Sequence, residues 1–298
     1  MKIFKRKKPI EYTLDYLNKY LYVINDSRND AKELYHNSNE KYKNCIWQMW
    51  YQGENNAPAI VLKCLESVKR NYPLNRVIID SNNIADYISI PEYITNKLKK
   101  GIITKTHFSD YVRASLLSKY GGCWIDATCL MTKQIPDSIL TQECFYFKNY
   151  SWYVLNNGAP SVKMLKNLIK FPMCQVSMHS GSSWFIVSKQ GNRLMSLVKR
   201  VMDEYWRHEN KLIDYALFHC IVSFLVLHDE DCKKNYEEMM SACNIYPHLL
   251  QFNLKNKFDK ELYEEIINNS FIHKLTYKHL ENNVNNDSFL NYVLRNEI

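Results

Sequence analysis

One segment, from His107 to Leu130, constrains this 298-residue chain more than any other. It reads as a helix, a sharp turn and a strand in immediate succession. Thr106 is the expected N-cap of a helix from His107 to Tyr120. Gly121-Gly122 ends that helix, because glycine tolerates the left-handed conformation at a helix C-terminus. Cys123-Trp-Ile-Asp-Ala-Thr-Cys-Leu130 follows as a buried strand. Its polar residues, Asp126 and Thr128, stand at i and i+2 and share one side, since side chains alternate along a strand. On the helix, Asp110 and Arg113 are three positions apart and share a face, while Phe108, Val112, Leu116 and Leu117 read as core. They form either a ligand-facing pair or a local ion pair. A mid-strand carboxylate among apolar neighbours costs free energy unless something pairs with it. A divalent cation, Mg²⁺ or Mn²⁺, is one such partner; a contact capping a neighbouring loop is another.

The residues before this segment supply its setting. Cys45-Ile-Trp-Gln-Met-Trp50 is a short apolar run of strand character, and Gln52-Gly-Glu-Asn-Asn56 is turn-like. A helix begins near Pro58, which suits a first turn, and runs to about Arg70. Arg76-Val-Ile-Ile-Asp80 is a β-branched run ending in an acid. Strand, helix, strand at this spacing opens a βαβ unit with a parallel sheet. Ligands of such sheets lie outside the carboxyl ends of the strands, which points to Trp47–Gln52 and Asp80–Asn83. Further on, Asp86–Lys100 reads as one or two short helices, Glu143–Tyr153 as β, Ser161–Phe171 as helix and Ser183–Val187 as strand. From Asn192 to Met240 helical periodicity dominates. Residues 10–44 are polar and helical, with Tyr12, Leu14, Leu17 and Leu21 near helical spacing. The expected organisation is a helical appendage over 1–44 and an α/β domain over 45–298.

Composition narrows the function. The hydrophobic fraction of 46% supports a sizeable core, and 7 Gly with 8 Pro argue against long linkers. Nine Cys without a Cys-x-x-Cys pair fit buried free thiols in a reducing compartment. The apolar run Tyr215–Leu227 is too short to span a bilayer and carries His219, so a buried helix is expected. The basic start runs into Pro9-Ile-Glu-Tyr12 rather than an apolar stretch, so no signal peptide is expected. A formal charge of +8 suits anionic partners. Lys5, Arg6, Lys7 and Lys8 form either a peripheral contact with an anionic membrane or a solvated terminus. The reading places the chain in the cytoplasm, with such contact at the inner face of the cell membrane. A basic nucleic-acid-binding protein is the alternative of a different class that the charge permits, but the basic residues are dispersed and no helix-turn-helix or RNA-binding motif occurs, so nucleic acid is not an expected partner. A metal phosphohydrolase needs several carboxylates or histidines around paired metals, and the sequence offers no such set.

The blocks quoted above carry a family resemblance. His107-Phe-Ser-Asp-Tyr-Val-Arg-Ala-Ser-Leu-Leu-Ser-Lys-Tyr-Gly-Gly-Cys-Trp-Ile-Asp-Ala-Thr128 closely resembles the signature of the capsular polysaccharide synthesis glycosyltransferases. Those proteins are related to family 32 glycosyltransferases and to the sugar-transferring domain of large clostridial toxins. Trp47-Gln-Met-Trp50 resembles the family's first strand, whose aromatic residue stacks near the nucleobase. His273-Lys-Leu-Thr-Tyr-Lys278 resembles a C-terminal element that closes over the diphosphate. The likeness runs from Cys45 to Lys278 and leaves out the first 44 residues.

The resemblance implies a GT-A-type fold, a twisted, mostly parallel α/β sheet with added helices. It implies transfer of a hexose from a nucleotide sugar, usually UDP-linked, to a hydroxyl of a capsular polysaccharide, exopolysaccharide or glycolipid. Retention is mildly favoured, and a toxin-like transferase acting on a protein is the neighbouring alternative. Carried over by position, Asp110 binds sugar or ribose hydroxyls, and Arg113 binds sugar or phosphate oxygens through its fork of donors. Asp126 reaches ribose or metal, with Ala127 and Thr128 completing its motif. Thr128 stands where many relatives have a second Asp and offers only a neutral oxygen, which puts strict Mn²⁺ or Mg²⁺ dependence in doubt. His273 is the further metal ligand implied, while Lys274 and Lys278 neutralise the diphosphate. Trp47, Gln48, Trp50 and Asp80 complete the donor side. Asp214 is either the base for an acceptor hydroxyl in an inverting enzyme or a cap, and Asn157, Gly158 and Trp184 line the acceptor side.

Overall fold

Residues 9–26 begin the computed structural model, which describes residues 9–26, 42, 44–73, 75–148, 179, 181–243, 245–278 and 286–296. The Lys5–Lys8 cluster, Asn157, Gly158 and the helix expected over 161–171 lie outside the described residues, as does the end of the β-like stretch expected to reach Tyr153. Two short helices open the described chain, α1 (Pro9–Leu17) and α2 (Leu21–Asp26). Leu17, Tyr20, Val23 and Ile24 are buried in the main core cluster.

The βαβ unit follows as expected, with β1 (Ile46–Met49), α3 (Ala59–Asn71) and β2 (Arg76–Ile79). β1 and β2 pair in parallel, Trp47 opposite Val77 and Met49 opposite Ile79. α4 (Glu92–Lys99) leads to α5 (Lys105–Tyr120). The cap of α5 is Thr104 rather than Thr106, two residues earlier than the spacing predicted, and its hydroxyl accepts from the His107 backbone at 3.4 Å. At its other end Gly121 and Gly122 take φ of +67° and +90°. A Cβ on Gly122 would meet the Cys45 carbonyl oxygen at 2.3 Å, and one on Gly121 the Gln190 nitrogen at 2.4 Å. The turn therefore needs glycine both for its backbone angles and for the close approach of neighbouring chain.

After the turn, β3 (Gly122–Ile125) pairs in parallel with β1. The single strand expected over 123–130 is broken here. The Asp126 nitrogen donates to the Trp184 carbonyl at 2.8 Å, and the Cys129 nitrogen closes a turn onto the Asp126 carbonyl at 2.9 Å. The chain leaves the sheet and resumes as β4 (Cys129–Met131). Then come α6 (Asp137–Leu140), β5 (Cys144–Lys148), β6 (Gly181–Ser188), α7 (Arg193–His208), α8 (Leu217–His228) and α9 (Glu230–Glu238). The C-terminal part holds α10 (Leu249–Asn253), α11 (Lys260–Asn269), β7 (Ile272–Lys274) and α12 (Phe289–Arg295).

The main sheet has the order β2-β1-β3-β6-β5. β3 and β5 are both antiparallel to β6, so four of the five strands run one way. This is the mostly parallel α/β sheet that the sequence predicts. β4 pairs antiparallel with β7 as a separate two-stranded sheet. One core cluster joins the main sheet to α5, α7 and α8, and α1 and α2 pack on α8 and α7. A second joins α3, Leu130 and the C-terminal helices. The turn over residues 126–128 stands where they meet, with Ile125 in the first and Ala127 in the second. Among the described residues eight cysteines are buried, and no helix is long and apolar enough to cross a membrane.

Candidate active site

Because β2, β1 and β3 are adjacent and parallel, their carboxyl ends share one edge of the sheet. That edge carries Asp80, Trp50 and Asp126 in turn. Asp126 is the most heavily engaged. Its Oδ1 accepts from Arg113 Nη2 and from the Trp124 indole, each at 2.8 Å, and its Oδ2 accepts from Lys274 Nζ at 2.7 Å. Arg113 also donates to Asp110 Oδ1, so one buried guanidinium ties the helix carboxylate to the turn carboxylate. The guanidinium lies 4.8 Å from the Trp124 ring centre and 5.5 Å from that of Phe218, a cation held by aromatic faces. Lys274 Nζ donates further to Thr128 Oγ1 at 2.5 Å. The result is a chain of alternating charge: Asp110, Arg113, Asp126, Lys274.

These charges set each other's protonation. Burial pushes the Asp126 carboxyl up, but the Lys274 ammonium and the Arg113 guanidinium outweigh it and hold the group well below the carboxylate range. For Asp110 burial wins over the Arg113 charge, and its carboxyl is raised. Burial lowers Lys274, and the Asp126 carboxylate more than restores it. Asp126 and Lys274 are therefore a charged pair at neutral pH.

The other residues singled out by sequence are distributed unevenly. Trp50, just past β1, is half-buried, meets Tyr277 edge-on at a centre distance of 5.3 Å, and leaves its indole nitrogen unpartnered. Trp47 does not share this position. Strand alternation turns it the other way, into Tyr42, Tyr87 and Tyr120, with its indole donating to the Gly121 carbonyl at 2.9 Å. It is fully buried and offers no face to a base. Gln48 is likewise internal, its Oε1 accepting from Arg76 at 3.3 Å. Asp80 shapes its own loop through Oδ1, which accepts from the Asn82 and Asn83 nitrogens at 2.7 and 3.1 Å. Lys278 is exposed at the end of the described 245–278 stretch.

Asp214 lies in the turn before α8 rather than within a helix. Its Oδ1 accepts from the Ala216 nitrogen at 2.8 Å, an Asx turn, and its Oδ2 from the Thr13 hydroxyl at 3.2 Å; the N-cap of α8 is Ala216, and no side chain caps the helix. Trp184 is buried against Phe147 and His248. Sequence reasoning missed Trp124, although its place two residues before Asp126 is the same-side spacing of a strand. It also missed Phe218 and Tyr277, which only the fold brings near.

The metal set expected from Asp126, Thr128 and His273 does not assemble. His273 and Lys274 are neighbours on β7 and face opposite sides. Lys274 reaches the 126–128 turn, while His273 is fully buried with its Nε2 3.2 Å from the Thr132 hydroxyl. Among the described residues no three His, Cys, Asp or Glu side chains group as a metal site. The one carboxylate at the turn already holds two side-chain cations. These residues do not fit a divalent ion.

The fold and this edge define an α/β protein with a charged site at the carboxyl ends of parallel strands. The chain belongs to the capsular polysaccharide synthesis protein family, whose family model matches residues 2–293. The match takes in α1 and α2, so the likeness extends beyond Cys45–Lys278. The chain is 25% identical over 172 residues to O-glycosyltransferase braB of Annulohypoxylon truncatum, covering 54% of this chain and 37% of that protein. It is 26% identical over 102 residues to O-glycosyltransferase PaGT of Phomopsis amygdali, covering 31% of this chain and 25% of that protein. The chain thus spans well under half the length of these curated relatives. Among solved structures it is similar to the PaToxG glycosyltransferase, at 11% identity and a TM-score of 0.37, over 89% of this chain and 99% of that one.

Proposed function

We propose that this protein is a nucleotide-sugar-dependent glycosyltransferase that moves a hexose, from a UDP-linked donor, to a hydroxyl of a capsular or exopolysaccharide or of a glycolipid. The single observation that carries the reading is the chain of Asp110, Arg113, Asp126 and Lys274 at the carboxyl ends of β3, β1 and β2. Family membership and the names of the two curated relatives support the same class of reaction. In this reading the base lies against Trp50 and Tyr277, with Asp80 at the ribose side. Asp126 and Asp110 accept from sugar hydroxyls, and Arg113 and Lys274 face the diphosphate with Lys278 nearby.

Transfer breaks the bond from the anomeric carbon to the diphosphate oxygen and forms one to the acceptor oxygen, whose proton passes to the leaving diphosphate. Cations fixed beside the leaving oxygens stabilise the charge that grows there. Retention is the outcome we favour, because both Asp214 oxygens are engaged within the protein and a retaining enzyme needs no base in its place. The site of action would be the cytoplasm, with peripheral contact at the inner face of the membrane.

A thermal-shift panel of nucleotides and nucleotide sugars tests this reading, since a ligand that binds the folded state raises Tm by mass action. A shift selective for one nucleotide family is expected. No shift with any nucleotide, or a salt-dependent mobility shift with DNA instead, would overturn it.

A further inference from the structure

We propose that the Lys274 ammonium occupies the place of a divalent cation in this site, so that the donor diphosphate binds without metal. The proposal rests on the nucleotide-sugar reading above and deepens it. Lys274 Nζ lies 2.7 Å from Asp126 Oδ2 and 2.5 Å from Thr128 Oγ1, a positive charge seated between the two polar side chains of the turn. An ammonium has three N–H donors. Asp126 and Thr128 take two, which leaves the third for an oxygen of the diphosphate. The side chain is 21% exposed, enough for a ligand to reach it.

Its position is built into the fold. β7 pairs with β4 so that Lys274 stands opposite Cys129, and the Leu275 nitrogen donates to the Thr128 carbonyl at 2.8 Å. Two backbone ties therefore hold the lysine against the turn before any ligand arrives.

Charge argues the same way. With Thr at position 128 the turn carries one carboxylate, and Arg113 and Lys274 both lie within hydrogen-bonding distance of it. A dication entering there would have to displace the Lys274 ammonium from Asp126, because both oxygens of that carboxylate already hold side-chain cations. Asp110 and Asp126 are balanced by Arg113 and Lys274, so the site holds no surplus negative charge to bind a dication.

Isothermal titration of UDP into the full chain tests this, once with EDTA and once with excess Mn²⁺. The expected affinities agree within about threefold. The electron paramagnetic resonance signal of free Mn²⁺ should fall no further with protein and UDP together than with UDP alone. Lys274→Met should weaken UDP binding in EDTA by about tenfold or more, and Lys274→Arg should recover most of it. Should Lys274→Met not fold, the wild-type titrations and the Mn²⁺ signal decide. Tightening of UDP by Mn²⁺ of about tenfold or more overturns the inference alone, as does wild-type binding by folded Lys274→Met. If UDP and the other nucleotides bind in neither buffer, the donor reading itself fails and this inference falls with it.

Discussion

Arg113 is the residue on which the site turns, since it is 3% exposed and joined to two carboxylates. Removing a partner from a buried ion pair strands the remaining charge, at a cost of about 3–5 kcal/mol. Arg113→Ala should therefore lose about that much stability in urea denaturation, while Asp126→Ala should stay folded. In the latter, Arg113 keeps Asp110 and Lys274 keeps Thr128. Asp126→Ala should nonetheless lose at least about a hundredfold in transfer rate, the scale of removing one group that stabilises the transition state. Wild-type transfer by that variant would remove Asp126 from the site. Asp110, Arg113 and Asp126 were legible in the sequence because helical and strand spacing is local. Trp47 is the residue the pattern misplaces, because it lies three positions before Trp50 and so faces the opposite side of the sheet. Both Trp47 and Trp50 are aromatic, but alternation buries the first beneath Tyr120 and leaves the second at the sheet edge.

At the scale of elements, the α5–turn–β3 unit is the most sequence-determined part of the molecule. Gly121-Gly122 marks its corner, and the tightness of that corner yields a sharp contrast. Gly122→Ala would push a Cβ against the Cys45 carbonyl, whose neighbouring hydrogen bond to the Cys123 nitrogen joins β1 to β3. A loss of about 3 kcal/mol or more is expected from strain and clash together. Gly101→Ala also meets a positive φ, +71°, but no atom within 4 Å, and should cost only about 1–2 kcal/mol. Equal urea midpoints for the two variants would refute the close-approach argument. The end of β3 was not legible. A run from Cys123 to Leu130 has strand composition throughout, and what breaks it is the Trp184 carbonyl, which comes from β6.

For the whole molecule, the buried His273 and the half-buried His219 set how stability responds to acid. Burial, helped by the charge on Lys133, lowers His273 to about 3, and burial with Arg113 lowers His219 to about 4. Both folded values lie below the ordinary histidine value, so between them and about 6.5 the unfolded chain binds protons that the folded chain refuses. Stability is complete above that window and is lost as pH falls through it, by about 2 kcal/mol for each histidine at about pH 5. The urea midpoint should drop between pH 7 and pH 5, and His273→Gln should reduce the drop; a flat profile in the wild type would contradict the assignment. The sequence by itself determined the α/β class, the βαβ opening, the glycine corner and the acidic and basic residues of the helix and turn. Each of these follows from contacts within a few residues or from strand and helix period. Tertiary structure alone decided which of them meet. Lys274 stands beside Asp126, 148 positions away, because β7 pairs with β4 in one register. Its neighbour His273 is turned from the site by the same pairing, since no local pattern records which face of a short strand a distant partner will cover.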